Sequence, residues 1–311
     1  MYRIDDATAA TSLPAPEAAG IEGYFTEGNP ATGTPATKVR GSWLNMIQEE
    51  LRAVVVAAGL TPSKTTYTQL RDAIKSLYGP GRLLRTSIYA IVSGQQQVSV
   101  NGAAFTTTGA TVFTPLSGTN TIIGEAQGGG GGGGGASGAG ATTVSMGAPG
   151  GSGSYGKAIW AIGVFGASQS ITVGAGGAGA VSAGANGATS SIGTLLTSPG
   201  GIGGGISNNV TPPSVNGNGS FSSAVTGAGI LYSSRGIANQ VTMGLSTSSG
   251  IGGNGGSSQF GTGANGPGIN TNGASAVNYG TGGSGVVVNQ SGGNGTGGSG
   301  FAGIVIISEY A

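Results

Sequence analysis

The chain has 311 residues, of which 37% are hydrophobic and 7% charged; its formal net charge is +1, and it holds neither cysteine nor histidine. That composition excludes disulfides, thiolate chemistry, imidazole acid–base catalysis and zinc sites of the usual kind. It also offers no electrostatic footprint for nucleic acid or an anionic membrane. No apolar run approaches the ~20 residues that span a bilayer, and Asp5 and Asp6 stand where a signal peptide would carry basic residues, so neither membrane insertion nor a leader is expected.

Residues 1–36 read as an extended arm, interrupted by Pro14, Pro16, Pro30 and Pro35 and by Gly20, Gly23, Gly28 and Gly33. Composition leaves two states open for it: ordered against another surface, or a loose terminus. Residues 37–80 read as a helical hairpin. Leu44, Ile47, Leu51, Val54, Val55 and Ala58 recur at helical spacing over 42–58, with Ser42 as the expected N-cap and Gly59 as the stop. Tyr67, Leu70, Ile74 and Leu77 mark a second helix over 66–78, closed by Gly79-Pro80. Two short helices bury little area alone, so packing against partner chains is expected.

From residue 81 the period changes. In the 81–127 segment, 87–92, 97–100, 111–113 and 119–126 read as short strands. Residues 128–311 then hold 56 of the 69 glycines and three formal charges, Lys157, Arg235 and Glu309. Glycine loses more backbone freedom on folding than any other residue, so such a stretch is either disordered or held by a dense backbone hydrogen-bond lattice. Disordered chains avoid hydrophobics and accumulate net charge. This one does neither. It carries apolar islands at 158–165, 170–173, 191–196 and 303–308, the last holding Ile304-Val305-Ile306-Ile307. Glycine spacing is too irregular for collagen. It fits loops, or short polyproline-II-like segments packed side by side, where a missing Cβ permits close approach. The fold class expected is mixed and mainly β: arm, helical hairpin, short-stranded connector, and a β-sandwich-like glycine-rich tip.

Three motifs invite chemistry and are set aside. Gly151 to Ala158 nearly matches a phosphate-binding loop, but Ala158 replaces the hydroxyl that would ligate Mg²⁺. Gly174 to Gly179 matches GxGxxG, which this glycine frequency produces by chance. Glu125 and Glu309 are the carboxylates available for glycoside cleavage, a weak version of the required pair. No catalytic residue, metal or cofactor is therefore expected. Tyr155, Phe221, Tyr232, Phe260 and Tyr279 are single aromatics among Gly, Ser and Asn, a composition like that of antibody paratopes. With Arg235, one of two cations in the region, they are the candidate receptor-binding residues. Trp160 and Phe165 read as core.

The order Phe25-Thr26-Glu27-Gly28-Asn29-Pro30-Ala31-Thr32-Gly33, Trp43-Leu44-Asn45-Met46-Ile47-Gln48-Glu49-Glu50-Leu51, Ala57-Ala58-Gly59-Leu60-Thr61-Pro62-Ser63 and Thr68-Gln69-Leu70 resembles the N-terminal segment of tailed-bacteriophage tail fibre proteins. Phe113-Thr114-Pro115, residues 119–127, the glycine run and Gly300 to Ile307 are similar to the glycine-rich tip of such fibres. The resemblance implies a homotrimeric, non-enzymatic fibre, assembled in the host bacterial cytoplasm and located in the virion. Its N-terminal part would attach to tail or baseplate proteins, with Phe25, Trp43, Leu44, Ile47, Leu51, Leu70 and Ile74 serving attachment and trimerisation. Its tip would bind a bacterial surface polysaccharide, pilus or outer-membrane protein. The rival readings are a purely structural rod and an envelope depolymerase.

Overall fold

The computed structural model describes residues 2–78, 81–217, 221–237 and 240–311, so the expected stop Gly79-Pro80 lies outside the described residues. The chain divides into two compact units, Met1–Arg82 and Leu83–Ala311. It is mainly β, with several antiparallel sheets and two N-terminal helices.

In the first unit, α1 (Gly41–Ala57) and α2 (Gln69–Tyr78) form the hairpin. The N-cap is Arg40, without a side-chain cap bond, and Ser42 sits inside the first turn instead. Gly59 closes α1 in the left-handed region at φ 74°. Helix α2 starts later than its apolar stripe, because Gln69 spends its side chain on the connector: Nε2 donates to Thr61 O at 2.7 Å and Oε1 accepts from Ser63 N at 2.9 Å. The arm is extended and clipped to the hairpin near its start. Arg3 grips Glu49 bidentately at 2.6 and 2.7 Å, Ile4 N donates to Gln48 at 2.7 Å, and Lys64 lies 2.6 Å from Asp5. These contacts are on the surface, and hydrogen bonds from Arg3 and Lys64 hold the Glu49 and Asp5 carboxyls below their ordinary range. The Gly-Asn-Pro-Ala-Thr-Gly turn has a local logic. Asn29 Oδ1 accepts from Ala31 N, and Gly28 and Gly33 take φ 73° and 70°.

The second unit contains β1 (Leu83–Val92), β2 (Gln95–Val100), β3 (Val112–Phe113), β4 (Thr121–Gln127), β5 (Val144–Gly147), β6 (Tyr155–Ala161), α3 (Ile162–Phe165), β7 (Gln169–Thr172), β8 (Ser190–Ile192) and β9 (Leu196–Ser198). It continues with β10 (Ile206–Val210), β11 (Ser214–Asn216), β12 (Thr226–Gly227), β13 (Ile230–Ser234), β14 (Thr242–Ser246), β15 (Ser249–Ile251), β16 (Val286–Val288) and β17 (Ile304–Tyr310). A six-stranded sheet, in order β13-β6-β4-β17-β1-β2, faces a five-stranded one, β12-β9-β8-β7-β3. The core between them gathers Tyr89, Phe113, Ile122, Trp160, Phe165, Ile171, Ile192, Leu196, Val305 and Ile307. Strand alternation sends Ile122 and Ala126 into this core and Ile123 and Glu125 to the outer face. The larger sheet runs continuously across residue 128, joining strands of the expected 81–127 and 128–311 segments.

Two apolar islands differ from the expected single strands. Residues 158–165 turn helical at Ile162, which brings Phe165 against Phe113 and Trp160 at ring-centroid distances of 5.6 and 5.7 Å. Residues 191–196 fold back on themselves as the β8–β9 hairpin.

Gly128 to Gly135 leave the sandwich as a straight segment whose hydrogen bonds repeat every third residue. Gly128, Gly131 and Gly134 donate to Ser154, Gly151 and Ala148 at 2.8–2.9 Å. Gly129, Gly132 and Gly135 donate to Ala188, Ala185 and Ser182, all at 2.9 Å. Gly130, Gly133 and Ala136 donate to Phe301, Gly298 and Gly295 at 2.7–2.9 Å. Three residues per turn is the polyproline-II repeat, and each partner number falls as the donor number rises, so these three neighbours run antiparallel. Between them lie three parallel neighbours, 199–205, 175–180 and 281–284, whose carbonyls sit where a Cβ would project. The glycine run is therefore the axis of a bundle with six surrounding segments, held by main-chain amides. None of these eight glycines has a positive φ. What the run requires is the absence of a Cβ, since one added at any of them would lie closer than 3.0 Å to a neighbouring backbone.

Tyr89, buried beside Arg85 and Glu309, has its hydroxyl pushed from 10.0 up to about 12, by burial first, opposed by Arg85 and reinforced by Glu309. The folded pKa exceeds the unfolded one, so this contribution is intact below pH 10.0 and is lost as pH rises through about 12. The loss is on the order of 3 kcal/mol. Melting temperature should fall across that window, and the fall should be smaller in Tyr89→Phe. An identical alkaline slope in both proteins would show that Tyr89 is not its source.

Candidate functional site

The bundle has two ends. One is the sandwich, where β1 enters with Leu83 paired to Tyr310, at the end of β17 remote from the glycines. At the other end lie two three-stranded sheets, β10-β5-β16 and β11-β14-β15, and the loops between bundle segments. These loops are tied by asparagine side chains. Ser137 N donates to Asn208 at 3.2 Å, and Gly138 N donates to Asn294 and Gly140 N to Asn209, both at 3.0 Å. Asn270 Nδ2 donates to Asn289 Oδ1 at 2.7 Å, and Asn289 Nδ2 to Thr247 O at 2.8 Å. Asparagine suits this task because its amide both donates and accepts in tight turns.

The candidate receptor-binding aromatics are not at that end. Four of the five gather on the shoulder where the six-stranded sheet meets the bundle. Ring centroids are 6.0 Å apart for Tyr232–Tyr155, 6.1 Å for Tyr155–Phe260, 6.4 Å for Phe260–Tyr279 and 5.6 Å for Tyr279–Phe301. Tyr155 and Tyr232 lie on strands β6 and β13, not in loops as their Gly/Ser surroundings imply. Tyr155 is buried, and its hydroxyl donates to Glu125 Oε2 at 2.8 Å. Burial first, then the bond to Glu125, raises its pKa above the ordinary tyrosine value. Glu125 Oε1 also pairs with Lys157 Nζ at 3.0 Å. Phe221 and Arg235 form a separate pair on the bundle flank. The Arg235 guanidinium lies 5.4 Å from the Phe221 ring centroid, and its Nε donates to Ser222 O at 2.7 Å.

Sequence reasoning missed Phe301 and the place of Lys157 and Glu125 beside the aromatics; the signal for the latter two is strand register, which pairs Glu125 with Lys157 and Lys157 with Tyr232. The carboxylates considered for glycoside cleavage do not meet. Glu125 is on the outer face of the sheet, while Glu309 is buried on the inner one against Arg85. The phosphate-loop-like residues run from a bundle segment straight into β6, and Gly174 to Gly179 form another bundle segment. Among the described residues there is no grouping of three or more acidic side chains able to hold a metal. No helix there is long and apolar enough to cross a membrane.

In the first unit, Phe25 packs edge-on against Trp43 with ring centroids 4.9 Å apart. Trp43, Leu44, Leu70 and Ile74 are exposed, and Ile47 and Leu51 are half-buried. Among the described residues, Val55 and Ala73 are the fully buried apolar side chains of this unit.

No protein-family model matches the chain. Over 77 residues it is 44% identical to the uncharacterized protein StfP of Escherichia coli strain K12, an alignment that takes in 25% of this chain and 35% of StfP. The chain thus spans about a third of the length of the curated relative it matches.

Proposed function

We propose that the chain is a bacteriophage tail fibre that adsorbs the virion to the host surface by reversible, non-catalytic binding. The observation that carries this reading is the geometry of the second unit. A side-chain-poor bundle bonded through its main chain fixes the aromatic shoulder beside the sandwich and the mutually tied loops at the far end, which is what presentation of a recognition surface requires. The first unit, with its small core and its exposed Trp43, Leu44, Leu70 and Ile74, is the part that joins further copies of the chain and the tail or baseplate. Three copies would turn a weak contact into a firm one, provided that the receptor repeats on the cell.

The test is direct. Full-length protein should run in solution at three times the chain mass. When labelled, it should decorate whole cells of the bacterium that harbours the gene or is infected by the virus carrying it. A folded chain that binds no such cells would end the receptor-binding reading, and a folded monomer would end the trimer.

A further inference from the structure

We infer that the shoulder of the second unit is a binding site for a neutral polysaccharide, formed by Tyr232, Lys157 and Glu125 in a row across β13, β6 and β4. This deepens, and rests on, the reading of the chain as a host-surface adhesin. Register places Tyr232 opposite Lys157 and Lys157 opposite Glu125, so the three side chains share the outer face. They span two strand spacings, about 10 Å. Tyr232 is 53% exposed, on an edge strand whose register shifts between Ile230 and Tyr232. Such bulges re-aim side chains. Tyr155 packs against the Tyr232 ring and Phe260 against Tyr155, and Gln259 Nε2 reaches the Tyr232 hydroxyl at 3.4 Å.

The chemistry selects the ligand class. The Lys157 and Glu125 side chains, 39% and 25% exposed, hold each other at 3.0 Å, and Tyr155 fixes the second carboxylate oxygen. They therefore present a preorganised donor beside a preorganised acceptor, with no net charge. A sugar's adjacent hydroxyls each donate and accept, and match that pair; its C–H face packs on the exposed phenol ring, which supplies rigid contact area at low entropic cost. An anionic polymer gains nothing from a cation already neutralised. A protein partner would bury the ion pair at a desolvation cost that a hydroxylated ligand avoids by bonding to both groups.

The experiment uses the full-length protein and lipid-free polysaccharide released from the cells that it decorates, separated into neutral and acidic fractions. The neutral fraction should block cell decoration and bind in titration calorimetry. Tyr232→Ala and Glu125→Gln should each weaken that binding at least about tenfold, by loss of one hydrogen-bonded or stacked contact. Tyr232→Phe should retain most of it, and Val164→Ala, an exposed position on α3, should change nothing. Unchanged melting of the variants separates loss of the site from loss of the fold. Equal binding by wild type, Tyr232→Ala and Glu125→Gln overturns the site; blocking by the acidic fraction alone, or by neither fraction while cells are still decorated, overturns the ligand class. If no cells are decorated at all, the adhesin reading itself has failed.

Discussion

Gly131→Ala should destabilise the second unit by about 3 kcal/mol or more, while Gly205→Ala should stabilise it by about 0.4–1 kcal/mol. The substitution is the same, and both sites lie in the glycine-rich bundle. At Gly131 the new methyl group would meet the carbonyl of Ile202, which already accepts from Gly151 N at 2.8 Å. Relief would require moving a backbone segment, and that segment is bonded to its own neighbours. At Gly205 nothing lies within 4 Å and the φ is ordinary, so alanine only reduces the freedom of the unfolded chain. Urea unfolding of the two variants against wild type measures the difference. Similar effects at both positions would mean that the bundle is not packed as described.

Glu309→Ala should cost about 3–5 kcal/mol, the usual penalty for removing one partner of a buried pair. Glu309 is fully buried; Oε1 lies 2.7 Å from Arg85 Nε in an ionic contact set off the hydrogen-bonding axis. Oε2 accepts from Leu116 N at 3.2 Å and from Thr119 Oγ1 at 3.3 Å. Arg85 in turn donates to Thr114 O at 2.7 Å and lies 4.9 Å from the Phe113 ring centroid. Truncation would strand a cation that is four-fifths covered and free the 114–119 loop from β17. Arg3→Ala removes an ion pair of better geometry but on the surface, where solvent screens it; it should leave the melting of the second unit unmoved. A loss of stability in Glu309→Ala no larger than that in Arg3→Ala would refute the structural role assigned to the buried pair.

The strands with Val, Ile and aromatic content were legible in the sequence. β1, β2, β4, β7 and β17 fall close to their expected positions because alternation and apolar content mark them directly. The bundle was legible only as an alternative. Its three-residue repeat leaves no trace in side chains, since the bonding groups are amides that every residue carries, and its partners are remote: Gly130 pairs with Phe301. The core positions of Trp160 and Phe165 followed from their apolar island, but the helical turn at Ile162 did not, because the inward swing of Phe165 depends on Phe113 from another strand. Rarity singled out Tyr155, Tyr232, Phe260 and Tyr279. Their assembly into one cluster depends on strand register and on loops returning from the bundle, neither of which any local window contains.

The bundle's threefold repeat also sets how its length can change. A polyproline-II helix advances about 9 Å over three residues, after which every amide again faces the same neighbour. Inserting one or two residues would rotate the axis away from its partners, whereas three in each segment would add a whole turn and carry the asparagine-tied loops outward on an unaltered sandwich. The register itself is nearly degenerate among identical glycines, so it must be pinned where the repeat begins; Gln127, buried at that point with Nε2 donating to Gly153 O at 2.7 Å, is placed to do so. Reach could therefore evolve in steps of nine nucleotides in each of the seven segments, separately from what the ends contact.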